Sequence, residues 1–214
     1  MDPADSAAIE QMAAELLSPA ETLRGDAMAP VLRLEFLASR VAQQNFAATL
    51  LGVPASKLQA AYECPECGAG PDIAHGRPGY LLDGGPAPLL LSASRASGWV
   101  LFAAVVHPEP GLRLGVDVEN AAGTEFAGFD DVALTIREHR HLDAVEPGRR
   151  ANERARLWAR KEAWLKMTGE GLRVSPDSFD VLERPGLWDL ELPASADGRD
   201  LPAGLVAALA ATSH

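Results

Sequence analysis

Two long helical runs, near residues 29–51 and 149–168, are separated and followed by short strand-like segments. That arrangement restricts the chain to mixed α and β folds more firmly than any other feature of it. In "APVLRLEFLASRVAQQNFAATLLG", Leu32, Phe36, Val41, Ala48 and Leu51 fall close to a 3.6-residue period, and Gly52 and Pro54 supply the stop signals. The second run extends from about Arg149 to Thr168 and ends at Gly169 and Gly171. Upstream, "SPAETLRG" offers Ser18 as an N-cap, Pro19 at the first helical position and Glu21 three residues on, a capping-box pattern. Between the helices, "PLLLSAS", "GWVLFAAVV" and "LRLGVDVEN" read as strands, and after the second helix so do "SFDVLE", "LWDLEL" and "GLVAALAA". Residues 64–88, rich in Gly and Pro, are expected to be largely loop. The expected fold is α+β in two related halves, residues 1–111 and 112–214, each a small antiparallel sheet on a long helix.

The 214 residues carry a net charge of −11, 47% apolar residues and a mean hydropathy of −0.03, the balance of an ordinary soluble protein. An acidic chain lacks the basic face that nucleic-acid binding needs, but it can hold a local basic pocket for an anionic small molecule. "MDPADSAAIEQMAAELL" has neither the basic region nor the long apolar run of a secretory signal. The longest apolar stretch, "GWVLFAAVV", is about half of what a membrane-spanning helix needs. With only Cys64 and Cys67, no disulfide framework supports the fold. The expected setting is the cytoplasm.

In "LRLGVDVEN" apolar Leu112, Leu114, Val116 and Val118 alternate with Arg113, Gly115, Asp117 and Glu119, the pattern of a half-buried strand. Asp117 and Glu119 then project from one face, about 6–7 Å apart. Two anions so placed form either a solvated strand face or part of a site for a hard divalent cation, if a third oxygen ligand arrives from elsewhere. Glu162, in "LWARKEAWLKMTGEGL", is a candidate for that third group. Lys166 lies four residues on, in position for an i,i+4 surface ion pair or for a role beside the carboxylates.

"GVDVE", followed 43 residues after Glu119 by Glu162 in "WARKEAWLK", resembles the paired motifs of the Sfp-type 4′-phosphopantetheinyl transferases. Those motifs are (V/I)-G-(V/I)-D-(V/I)-E on a strand and W-x-x-K-E-(A/S)-x-x-K on a helix. Leu114 at the first strand position is a mild departure, and "GEGL" and "SPDSFDV" extend the likeness to roughly residues 30–190. The resemblance implies two pseudo-symmetric α+β halves with coenzyme A between them. The implied reaction moves the phosphopantetheine arm of coenzyme A to a serine of an apo acyl or peptidyl carrier protein, releasing 3′,5′-ADP. It implies Asp117, Glu119 and Glu162 as Mg²⁺ ligands. Asp117, Glu162 and Lys166 become the catalytic group, with Glu162 as general base and Lys166 on the coenzyme phosphates. "HGRP", His75, Gly76, Arg77 and Pro78, is similar to the family's turn beside the adenine and 3′-phosphate. Ser92 is a further nucleotide contact, and Arg33 and Arg40, seven residues apart on one helical face, are candidates for the 3′-phosphate.

In "LLLSASRASGWV", Ala93 stands where the family has a histidine, which implies weaker coenzyme A affinity. "CPEC" with His75 offers three of the four ligands of a structural zinc site, and no second Cys pair exists. The expectation there is an ordinary turn, with a reversible disulfide. Taken together, the resemblance implies a Mg²⁺-dependent, monomeric cytosolic enzyme acting on carrier proteins, with exposed apolar residues of the 121–148 region receiving the carrier. The alternative is a non-catalytic coenzyme A- or carrier-binding protein on the same scaffold, with Ala93 as the first sign of decay.

Overall fold

In the computed structural model, which describes residues 3–192 and 200–213, both long helices form where the hydrophobic pattern puts them. The chain divides into two compact units: residues 1–91 with 104–108, and residues 92–103 with 109–214. Each mixes helices with small sheets, so the chain has the expected α+β class.

The first unit opens with three helices, α1 (Pro3–Leu16), α2 (Pro19–Asp26) and α3 (Pro30–Leu51). The capping box of α2 forms as its sequence requires, with Ser18 and Glu21 each accepting the other's backbone N–H. Ala13 of α1 packs against Phe36, Leu37 and Val41 of α3, and each large buried side chain contributes roughly 1.5–3 kcal/mol. Beside this core lies a buried polar network. The Gln43 amide donates to the Tyr62 and Tyr80 hydroxyls (3.1 and 3.0 Å), and the Tyr62 hydroxyl donates to Glu21 (2.9 Å).

Five short strands follow: β1 (Leu58–Ala60), β2 (Tyr62–Cys64), β3 (Gly68–Gly70), β4 (Tyr80–Leu82) and β5 (Gly85–Pro86). β4 pairs antiparallel with β1 and β5, and β2 with β3. Residues 64–88 are largely loop as expected, interrupted by these short strands. Main-chain pairing, which leaves no side-chain periodicity in Gly- and Pro-rich sequence, holds these strands. β6 (Leu89–Ala96) and β7 (Trp99–Val106) then pair with each other, at the two positions read as strands.

The second unit contains β8 (Arg113–Asn120), α4 (Phe129–Ala133), α5 (Ile136–Ala144), α6 (Arg150–Thr168), β9 (Leu187–Leu190) and β10 (Leu205–Thr212). The antiparallel sheet has the order β8-β10-β9, with Asp117 opposite Ala208 and Glu119 opposite Val206. α6 lies on it, with Leu157, Ala163 and Met167 sharing a core with Leu187, Ala208 and Ala210. Two expectations fail here. β8 is not half-buried, because Leu114 through Val118 are all buried. Nor is "SFDVLE" a strand, since its backbone has other partners. Lys161 Nζ donates to the carbonyls of Pro176 and Phe179 (both 2.6 Å), and the Val181 N–H donates to Glu138 (2.8 Å). Lys161 and Glu138 form a fully buried ion pair at 2.8 Å, which binds that segment to α5 and α6. Among the described residues no helix is long and apolar enough to cross a membrane.

Candidate active site

Gly115 sets how closely β8 approaches α6. A Cβ there would lie 2.0 Å from the Ala163 carbonyl oxygen and 2.5 Å from the Met167 nitrogen, so only glycine fits without displacing one element. Alternation then directs Asp117 and Glu119, of the same parity, to the same helix. α6 answers with Trp158, Glu162 and Lys166, which share one face at i, i+4 and i+8.

Asp117 is 2% exposed. Its Oδ1 accepts from Lys166 Nζ and from Ser94 Oγ, both at 2.6 Å, and Lys166 Nζ also donates to the Ala93 carbonyl at 3.3 Å. The ion pair of Lys166 thus runs across elements to the strand. Asp117 Oδ2 is buried with no hydrogen-bond partner. The Trp158 side chain hydrogen-bonds Glu119.

The electrostatics of this group are unbalanced. Burial, then the charges of Asp117 and Glu162, pushes the Glu119 carboxyl up to about 7. Burial raises Glu162 too, with Asp117 adding and Lys166 opposing. Asp117 is also raised, by burial, against the pull of Lys166 and Ser94. Three carboxylates face one ammonium, and one buried carboxylate oxygen lacks a partner. A hard cation fits that deficit, and the oxygen-only donor set suits Mg²⁺.

Ser92 is buried, and its Oγ accepts from the Val116 N–H at 2.9 Å, so it ties β6 to β8. Ser94 and Trp158 were missed as site residues by sequence reasoning. The available signals were the two-residue step from Ser92 and the four-residue step back from Glu162.

The remaining candidates belong to the first unit. Arg33 pairs with Glu10 and, at 2.9 Å, with Asp26. Arg40 lies over the Tyr62 and Phe36 rings (4.5 and 5.0 Å) and donates to the Tyr62 hydroxyl at 2.7 Å and the Ala74 carbonyl at 3.2 Å. In the His75–Pro78 turn, Arg77 exchanges backbone hydrogen bonds with Glu63 (2.8 and 3.0 Å). Gly76 has φ +90°, and a Cβ there would lie 2.2 Å from the Glu63 oxygen. The Arg77 guanidinium stands 3.9 Å from the Glu63 carboxylate. Both cysteines are free thiols. Among the described residues, the set of three whose ligating atoms all lie within 4.8 Å of one another is Cys64, Cys67 and His75. Asp117, Glu119 and Glu162 do not form such a set.

A carboxylate cluster and a lysine, held between a glycine-bearing strand and a long helix, make a donor set of the kind that can hold a hard cation beside phosphate oxygens. Residues 113–187, the segment that carries this cluster, match the family model described as the 4'-phosphopantetheinyl transferase superfamily. A 4'-phosphopantetheinyl transferase 1 of Fusarium mangiferae is 29% identical over 120 residues, covering 46% of this chain and 41% of the relative. A 4'-phosphopantetheinyl transferase of Bacillus subtilis is 30% identical over 104 residues, covering 47% and 42%. The matched part is thus about two fifths of the length of these curated relatives.

Proposed function

We propose that this protein transfers the 4′-phosphopantetheine arm of coenzyme A to a serine of an apo acyl or peptidyl carrier protein, releasing 3′,5′-ADP, as a Mg²⁺-dependent cytoplasmic monomer. The observation that carries this reading is the Asp117–Glu119–Glu162 cluster with Lys166, unbalanced in charge and lying within the superfamily segment. Asp117, Glu119 and Glu162 would hold the Mg²⁺, and the unpartnered Oδ2 of Asp117 is the donor that most needs it. Bound there, the ion supplies neutralisation of the charge that grows on the pyrophosphate.

The chain's own residues do the rest. Lys166, fixed by Asp117 and the Ala93 carbonyl, offers an ammonium to a coenzyme phosphate. Glu162, through an oxygen not committed to the ion, takes the proton of the carrier serine hydroxyl. The serine oxygen then bonds to the phosphorus of the arm, and the bond to the 3′,5′-ADP oxygen breaks. Further coenzyme contacts come from Ser92, from the turn of His75, Gly76, Arg77 and Pro78, and from Arg33 and Arg40. Phe126, Val132 and Ile136 are 60%, 62% and 73% exposed, and Arg140 and Arg149 are exposed nearby in sequence. The three apolar side chains offer a docking surface to the carrier.

Incubating several apo-carriers with coenzyme A and Mg²⁺ tests the reading. The carrier should gain the mass of phosphopantetheine, and a chelator should suppress the gain. No transfer to any carrier would favour the non-catalytic binding protein instead.

A further inference from the structure

The β2–β3 hairpin and the turn at residue 75 hold three ligand-bearing side chains, of which Cys64 and Cys67 have no part in the proposed transfer. Cys64 ends β2, Cys67 immediately precedes β3, and Cys64 pairs with Gly68 across the hairpin. Backbone N–H groups of Glu66 and Cys67 donate to the Cys64 sulfur, which orients it and offsets negative charge on it. His75 arrives from another segment, brought in by the paired Glu63 and Arg77 backbones and by the close passage at Gly76. One ligating atom from each of the three side chains consequently lies within 4.8 Å of the other two.

That constellation has a definite chemistry. A tetrahedral Zn²⁺, with bonds of about 2.3 Å to sulfur and 2.0–2.1 Å to nitrogen, sets such donors about 3.5–3.8 Å apart. Small side-chain rotations cover the remaining difference. Two thiolates and a neutral imidazole balance the charge of a divalent ion, and sulfur and imidazole donors select zinc over Mg²⁺ or Ca²⁺. Cys67 is exposed while Cys64 and His75 are half-buried, which leaves a fourth position facing solvent.

We propose that Cys64, Cys67 and His75 form a zinc site with an open fourth position, which staples the β2–β3 hairpin to the His75–Pro78 turn. Ligand count alone points instead to an ordinary turn with a reversible disulfide, because a structural zinc site takes four protein ligands and the sequence offers three. One ring nitrogen of His75 ligates the metal, and the other stays available to a neighbouring acceptor. The site stands on the first unit's own geometry and does not depend on the transferase reading.

The test uses the full chain, reduced and stripped of metal, titrated with Zn²⁺ against a chromophoric chelator and separately with Co²⁺. The expected result is one tightly bound ion per chain, thiolate-to-cobalt charge-transfer absorption, and two sulfur ligands by X-ray absorption at the zinc edge. Cys67→Ser and His75→Ala should each weaken binding by more than about 100-fold, beyond what losing an outer supporting partner costs. Asp117→Asn, at the carboxylate cluster, should leave zinc binding unchanged. Circular dichroism checks that the variants fold, and the wild-type stoichiometry and sulfur count need no variant. The proposal is overturned if the reduced wild type binds no stoichiometric zinc. A shell of oxygen ligands only, or binding unaffected by Cys67→Ser, would overturn it equally.

Discussion

Gly115 makes the acidic pair usable, because any side chain there would push β8 away from α6 and withdraw Asp117 from Lys166. Gly115→Ala should therefore cost about 2–3 kcal/mol through overpacking against the Ala163 and Met167 backbone. It should also lower the proposed transferase activity, and an unchanged melting temperature would contradict the close-packing account. Ala93 makes the second residue-scale case. Its carbonyl accepts from Lys166, while its side chain offers nothing to a phosphate. Ala93→His should lower the KM for coenzyme A by about tenfold, the effect of one added charged hydrogen bond of roughly 1.5 kcal/mol; an unchanged or higher KM in a coenzyme A titration would refute this. The juxtaposition of Asp117 and Glu119 with Glu162 was legible through the paired motifs 43 residues apart. The pairing of Lys166 with Asp117 was not, because i,i+4 spacing favours Glu162 and only the tertiary approach of β8 supplies the other carboxylate.

At the scale of elements, the same contrast holds. α3 and α6 were readable because apolar period, stop glycines and capping residues all agree on them. "SFDVLE" carries a strand's composition, yet Lys161 and Glu138 take up its backbone groups, Thr135 donates to its Asp180, and it stays irregular. No local pattern encodes those partners. α6 also carries its own pH-dependent brace. Glu153 accepts from Arg156 (2.5 and 2.8 Å) and meets His141 at 2.5 Å, and mainly the Arg156 hydrogen bonds hold its carboxyl down at about 2. A lowered folded-state value contributes stability above the ordinary 4.5, which is lost as pH falls towards 2. Glu153→Gln should therefore destabilise the protein at neutral pH by about 0.5–1 kcal/mol, allowing for solvent screening. The difference from wild type should shrink through that acidic window. Melting curves across pH check it, and a constant difference would contradict the assignment.

For the molecule as a whole, the α+β class was visible in the order of helices and strands, whereas the short strands of residues 64–88 and the approach of His75 to the cysteines were not. Both depend on main-chain pairing between segments with no distinguishing side-chain pattern. The superfamily match over residues 113–187 covers β8, α6 and the four groups of the cluster, all in the second unit. The most direct test of the central claim is mass spectrometry of an apo-carrier after incubation with coenzyme A, Mg²⁺ and either wild-type protein or Asp117→Ala. The account predicts a phosphopantetheine adduct on the carrier serine with wild type, and none with a variant whose circular dichroism remains native. An adduct formed equally well by Asp117→Ala, or by neither protein with any carrier, would contradict it.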